Sequence, residues 1–167
     1  MRIIIKKSCL KQCRSSYMVY LLVALAVVVL DQLSKLYVVA QFDVGESVPV
    51  IQDIFHWTYI LNPGAAFGML EGSRWFFVLI AIGVMAGIWY MRRDIAEYGP
   101  WCTYGAALFG GGALGNLIDR ARQGLVIDFF DFRIWPVFNV ADVGICVGVG
   151  CIIWSILLKD LLENKKA

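Results

Sequence analysis

Four runs of the chain carry no charged residue over about the length that a helix needs to cross a bilayer. A hydrocarbon core about 30 Å thick takes roughly 20 helical residues. Ser15 to Leu30 is uncharged and continues to Ala40 with only Asp31 and Lys35 interrupting, while Trp75 to Met91, Gly99 to Ile118 and Val143 to Leu158 are uncharged throughout. With 60% of its 167 residues hydrophobic and 17% charged, the chain is too apolar for a soluble domain of this size. The expected fold is an all-α polytopic membrane protein, residues 1–167 forming one integral membrane domain with transmembrane helices near 17–38, 74–91, 99–118 and 142–158. Four spans put both termini on one side.

Basic residues orient the bundle, because cytoplasmic flanks retain Lys and Arg during insertion. Arg2, Lys6, Lys7, Lys11 and Arg14 precede the first span, Arg92 and Arg93 lie between the second and third, and Lys159, Lys165 and Lys166 follow the fourth. The other face has Lys35, Arg74, Arg120, Arg122 and Arg133, half as many. Both termini are therefore expected in the cytoplasm, with extracytoplasmic segments near 41–73 and 119–141. The run from Tyr17 to Leu30 leads into Asp31 and Lys35 rather than a small-residue cleavage site, so it reads as a retained span.

Composition excludes several classes. A net charge of +2 gives no footprint for nucleic acid. Cys9, Cys13, Cys102, Cys146 and Cys151 fall in the tail or inside spans, where a disulfide framework has no reason to form; acylation of Cys9 and Cys13 is the alternative to a bland tail role. His56 is the one histidine, and there is no HExxH or paired-Cys motif, so no metal is expected. GAAFG and GGALG lack the lysine and the strand-to-helix setting of a phosphate loop. Ser34 adjoins Lys35 and so points to another helix face, which disfavours a Ser/Lys hydrolase.

The unusual chemistry lies in the two extracytoplasmic segments. Ile54 to Leu61 is rich in β-branched and aromatic residues and stops at Asn62-Pro63-Gly64, a strand and turn; Leu125 to Phe138 has similar composition. Together they predict a small extracytoplasmic sheet with Phe55, Trp57, Tyr59, Phe129, Phe130 and Trp135 at the membrane interface. The third span is crowded with glycine and alanine, and the fourth carries Gly144 and Gly148. Such faces allow close helix packing or, in the third span, a groove for a substrate segment or lipid.

Ionisable groups at the edge of a bilayer are costly to leave unpaired, so they are candidates for function. Asp31, Lys35, Asn62, Asn116, Asp119, Arg120, Asp128, Asn139 and Asp142 all fall near the outer ends of spans or in the outer loops. Asp31 and Lys35 are four apart, acid first, and either neutralise each other or serve a supporting role at the site. Asn116, Asp119 and Arg120 share a helix face, with Arg120 a clamp for Asp119 or another carboxylate. Asn62, before Pro63 and Gly64, is a turn former or a substrate-binding amide. Asp142 precedes the fourth span and reads as a helix N-cap on its own. Asp128 sits in the apolar stretch Val126 to Phe130, where an unpaired carboxylate is expensive, with Asp131 as the rival acid.

The 13 residues between Asp128 and Asp142 suffice for a strand and a return, so these two carboxyls can meet at the mouth of the fourth span. Mutual repulsion then raises one apparent pKa and lets the pair share a proton, leaving one carboxylate as base and one acid as donor. That arrangement hydrolyses peptide bonds with no cofactor.

In order along the chain, DQLSK (Asp31–Lys35), NPGAAFG (Asn62–Gly68), GGALGNLIDR (Gly111–Arg120), VIDFF (Val126–Phe130) and FNVAD (Phe138–Asp142) resemble the motifs of lipoprotein signal peptidase, or signal peptidase II. The resemblance implies a catalytic dyad on Asp128 and Asp142, substrate-binding or supporting roles for Asp31, Lys35, Asn62, Gly64, Asn116, Arg120 and Asn139, and a structural role for Asp119. It also implies four membrane helices with a β-cradle, in the bacterial inner membrane. The implied substrates are diacylglyceryl-modified prolipoproteins, cleaved on the N-terminal side of the lipidated cysteine, and the implied inhibitors are globomycin-like cyclic peptides. Gly68 departs from the small hydroxyl residue of many relatives. The basic tail from Met1 to Arg14 lies outside the resemblance. Two other classes compete: a small transporter, whose carboxylates should line a path through the spans, and a noncatalytic assembly factor that uses the glycine face, which leaves Asp128 unexplained.

Overall fold

The computed structural model describes residues 2–64, 70 and 72–164, with side chains from Tyr17 onward. Cys9, Cys13 and Gly68 lie outside the described side chains. Helix α1 (Arg2–Gln41) leads into a hairpin of β1 (Ser47–Ile51) and β2 (Phe55–Asn62). Then come α2 (Arg74–Tyr90), the short α3 (Arg92–Glu97), α4 (Pro100–Gln123), β3 (Val126–Asp131) and α5 (Val140–Asn164). The chain is mostly helical, with one antiparallel sheet in the order β1-β2-β3.

Among the described residues two helical segments, Tyr17–Gln41 and Val140–Asn164, are long and apolar enough to cross a membrane. The 17 residues of α2 rise about 26 Å at 1.5 Å each, a little short of a hydrocarbon core. Helix α4 has 24 residues, but glycine dominates it and Asp119, Arg120 and Arg122 fall in its last turns. Leu22 and Leu25 of α1, Leu79 and Ile80 of α2, and Ile153 and Trp154 of α5 stand exposed on the bundle surface. A coat of large apolar side chains is what lipid, not water, solvates.

The interior combines small and apolar residues with a buried polar layer that includes Asp31, Lys35, Asn116 and Asp119. Helix α4 packs against both α1 and α5, and glycine makes the α4–α5 contact possible. A Cβ added to Gly105 would lie 2.6 Å from the Gly148 carbonyl oxygen, and one added to Gly148 would lie 2.6 Å from that of Gly105. Backbone therefore meets backbone, the packing reading of these residues. Pro100 occupies the first turn of α4, and Gly124, with φ 82°, closes it in the left-handed conformation.

The sheet departs from expectation in three respects. It has a third strand, β1, whose five residues are all exposed and include Pro49, which an edge strand tolerates. Strand β3 ends at Asp131 instead of running to Phe138; Arg133 takes φ 63°, the segment loops out, and Phe138 returns to bridge Phe130. Finally, Phe129 and Tyr59 are core residues, not interfacial ones: with Val38 of α1 and Ile127 they form the cluster that fastens the sheet to the bundle. Alternation along β3 then turns Asp128 away from that core.

Candidate active site

Asp128 and Asp142 line one cavity of about 340 Å³, together with Asn62, Asn116, Arg120 and the loop residues Trp135 to Phe138. Asp128 is supplied by β3 and is 3% exposed. Its Oδ1 accepts an N–H from Asn139 Nδ2 at 2.6 Å and its Oδ2 one from Asn62 Nδ2 at 2.8 Å. Burial first, then the negative charge of Asp142, push the Asp128 carboxyl up to about 7, against the hydrogen bonds from Asn62 and Asn139.

Asp142 stands in the first turn of α5, yet it is not the N-cap expected from its position. Asn139 is. The Asn139 Oδ1 accepts the Asp142 backbone N–H at 3.0 Å, and Asp142 Oδ2 accepts the Asn139 backbone N–H at 3.2 Å. This reciprocal capping box satisfies two of the donors left open at the helix start. The other oxygen, Asp142 Oδ1, accepts from Asn116 Nδ2 at 2.8 Å. Each carboxylate oxygen of the pair therefore receives one N–H from a neutral amide, and among the described residues no cation forms an ion pair with either group.

Behind the amides lies a buried ionic layer. Lys35, 2% exposed, contacts Asp31 Oδ2 at 2.8 Å, Asp119 Oδ2 at 2.7 Å and Asn116 Oδ1 at 3.0 Å. Asp31 also accepts the Ala141 backbone N–H at 2.9 Å, so a carboxylate of α1 completes the cap of α5. Gln32 joins the layer by donating to Asp31, Asp119 and the Gly115 carbonyl. Sequence reasoning passed over Gln32, although it stands inside DQLSK, beside Asp31 and on the turn that bears Lys35.

Arg120 does not clamp Asp119, which Lys35 holds instead. Its guanidinium donates to the Gly64 carbonyl at 2.8 Å and lies over the Phe77 ring at 4.5 Å. Asn62 is both a turn former and an amide at the site, since its Oδ1 accepts the Gly64 N–H at 2.9 Å while its Nδ2 faces Asp128. The rival acid Asp131 is engaged elsewhere. Burial opposes its ionisation, but the Arg133 backbone N–H, the Thr58 hydroxyl and the Arg133 guanidinium outweigh burial and hold its carboxyl below the ordinary value.

The chain is thus an apolar-coated helical bundle that opens, beside a small sheet, through a cavity lined by two carboxyls. The signal peptidase (SPase) II family model matches residues 23–158. The chain belongs to that family. It is 51% identical over 137 residues to the lipoprotein signal peptidase of Desulfitobacterium hafniense, covering 81% of this chain and 91% of that protein. It is 45% identical over 148 residues to that of Pelotomaculum thermopropionicum, covering 88% and 97%. A solved bacterial membrane enzyme, determined by the in meso method at 2.3 Å resolution, superposes with a TM-score of 0.81 at 36% identity, over 89% of this chain and 92% of that one.

Proposed function

We propose that the chain removes signal peptides from diacylglyceryl-modified prolipoproteins, cleaving before the lipidated cysteine with Asp128 and Asp142 as the catalytic dyad. The observation that carries the reading is the pair of carboxyls on one cavity, each oriented by amide N–H donors and, among the described residues, neither in an ion pair with a cation. Asp142 in its ionised form takes a proton from water as the oxygen attacks the scissile carbonyl. Asp128, held protonated near neutral pH, donates to the developing oxyanion. Collapse of the tetrahedral intermediate passes the Asp142 proton to the leaving amine and returns a hydroxyl proton to Asp128. Atoms and charges then stand as they began.

In this reading Asn62, Asn116 and Asn139 hold the carboxyls, Arg120 and Gly64 form a wall that meets substrate, Asp31 and Lys35 support the layer behind, and Asp119 is structural. Four helices, α1, α2, α4 and α5, span the bacterial inner membrane with both termini cytoplasmic and the cavity at the outer face. Membrane lipids surround the bundle, and globomycin-like cyclic peptides compete for the cavity. The spread of Lys and Arg along the chain supports this orientation.

The test is cleavage of a purified diacylglyceryl prolipoprotein by the wild type, Asp128→Asn and Asp142→Asn, each checked for folding. Both variants are expected to fold and lose turnover. Cleavage at the wild-type rate by either one refutes the dyad, and equal cleavage of unlipidated precursor refutes the substrate class.

A further inference from the structure

Every amide that touches the two carboxyls has its orientation set by a group that can only donate. The Asn62 and Asn139 oxygens each accept a backbone N–H, from Gly64 and Asp142 respectively. The Asn116 oxygen differs, because beside the Asn139 side-chain N–H at 3.1 Å it accepts, at 3.0 Å, from the ammonium of Lys35, a buried charge reaching across from another helix. A lysine ammonium has three N–H donors and no acceptor. Here the ammonium donates to Asp31 at 2.8 Å and to Asn116 at 3.0 Å, and Asp119 pairs with it at 2.7 Å, so charge on two sides holds it in place.

We propose that Lys35 is a positioning residue for the reaction: donating to the Asn116 oxygen alongside Asn139, it keeps the Asn116 N–H turned onto Asp142 and so holds that carboxylate aimed into the cavity. The proposal rests on the dyad reading above and goes beyond it by naming how the charge layer reaches the chemistry. The alternative amide orientation is excluded by donor and acceptor matching. Turned over, Asn116 would set its NH₂ against the Lys35 ammonium and against Asn139 Nδ2 at 3.1 Å, and its oxygen against Asp142 Oδ1 at 2.8 Å. Donor would face donor twice, and acceptor would face acceptor once. A buried polar mismatch of this kind is expensive in a low-dielectric site. The cation thus acts on Asp142 at second hand. It leaves that carboxylate with a neutral donor, which steadies its direction without the loss of basicity that a direct ion pair brings.

Asn116→Asp tests this without changing shape. The charged and titratable groups around that position are Lys35 and Asp31 from α1, Asp119 and Arg120 on α4, Asp128 on β3 and Asp142 on α5. One oxygen of the new carboxyl still accepts from Lys35; the other faces Asp142 and donates to it only when protonated. The full-length variant in detergent, assayed on diacylglyceryl prolipoprotein from pH 5 to 9, is expected to lose about 10- to 100-fold in kcat at the alkaline end, the factor carried by a hydrogen bond to a charged group. KM should be unchanged, and the ratio of variant to wild-type kcat should rise as pH falls. An added negative charge acting through space alone does the opposite, since it favours protonation of the base Asp142 and lowers that ratio at acid pH. Lys35→Met, wherever it yields folded protein, is expected to lower kcat by a similar factor at all pH values.

A ratio near one across the range, or one that falls with acid, overturns the positioning role. Asp142→Asn is measured alongside: if it keeps turnover, the dyad reading is what has failed, whereas its loss of turnover together with a flat Asn116→Asp ratio condemns the lock alone.

Discussion

Removing the Asp128 charge should leave a protein that fails at catalysis yet resists alkali better than the wild type. A carboxyl whose ordinary value of 3.8 rises to about 7 on folding makes the folded state bind more protons than the unfolded state between those limits. Stability on this account is full below the unfolded value, falls as pH rises through the interval, and levels off above about 7. At about 1.4 kcal/mol for each tenfold, the span amounts to on the order of 4 kcal/mol. The amide introduced by Asp128→Asn cannot ionise, so the penalty vanishes from that variant. The substitution also has a pH-independent cost of about 1 to 3 kcal/mol, since an amide cannot accept from both Asn62 and Asn139. The diagnostic quantity is therefore the slope of the difference between the two proteins, not its value at one pH. Titrating groups remote from Asp128, Asp131 among them, are common to both and cancel. Equilibrium unfolding in mixed micelles from pH 4 to 9, followed by tryptophan fluorescence, is the assay. The variant should gain on the wild type steadily up to about pH 7 and no further. Parallel curves would show that Asp128 does not titrate from a raised value and would remove the physical basis for making it the acid.

Two further substitutions probe the scaffold. A Cβ at Gly112 would collide with the Ala141 carbonyl oxygen and come within 2.9 Å of Ile145 Cγ1, so Gly112→Ala should push α5 off α4, lower stability by about 1 to 3 kcal/mol, and abolish prolipoprotein cleavage by moving Asp142; normal unfolding and turnover would contradict it. Asp131→Asn should cleave at nearly the wild-type rate. Because the Asp131 carboxyl is held below its ordinary value, its stabilising contribution is present above the unfolded pKa and lost as pH falls, so the variant should show a shallower loss of stability in acid unfolding.

The membrane character was legible because lipid tolerates so little charge that four long uncharged runs have few other readings. What each residue would touch was not. β1 escaped notice because SVPVI is short, fully exposed and interrupted by proline, leaving no alternating pattern to detect. α3 escaped because RRDIAE offers a single turn and a half of charge-rich sequence. At the site, the clustering of Asp31, Lys35, Asn116, Asp119 and Asn139 could be read from the ends of spans, but the partner of each depends on how helices rotate against one another. Arg120, expected to clamp Asp119 or another carboxylate, donates to the Gly64 carbonyl and meets Asp142, Asp128 and Asp119 only through longer-range charge attraction. The cap of α5 was readable after all: Asn139 followed three residues later by Asp142 is the spacing of a capping box, and only attention to the acid concealed it.

That cap has a consequence for how the protein comes into being. Asp142 is aimed by Asn116 of α4 and by the Asn139 backbone, and the turn that bears it is tied to Asp31 of α1 through Ala141. The ties from Asn116 and Asp31 cross to α5, which leaves the ribosome after α1, α4 and β3. Until α5 inserts and docks, Asp128 faces an unfinished pocket and Asp142 has no fixed direction. On the dyad reading, a nascent or half-inserted chain is therefore silent, and proteolytic competence arrives in the same step that completes the bundle.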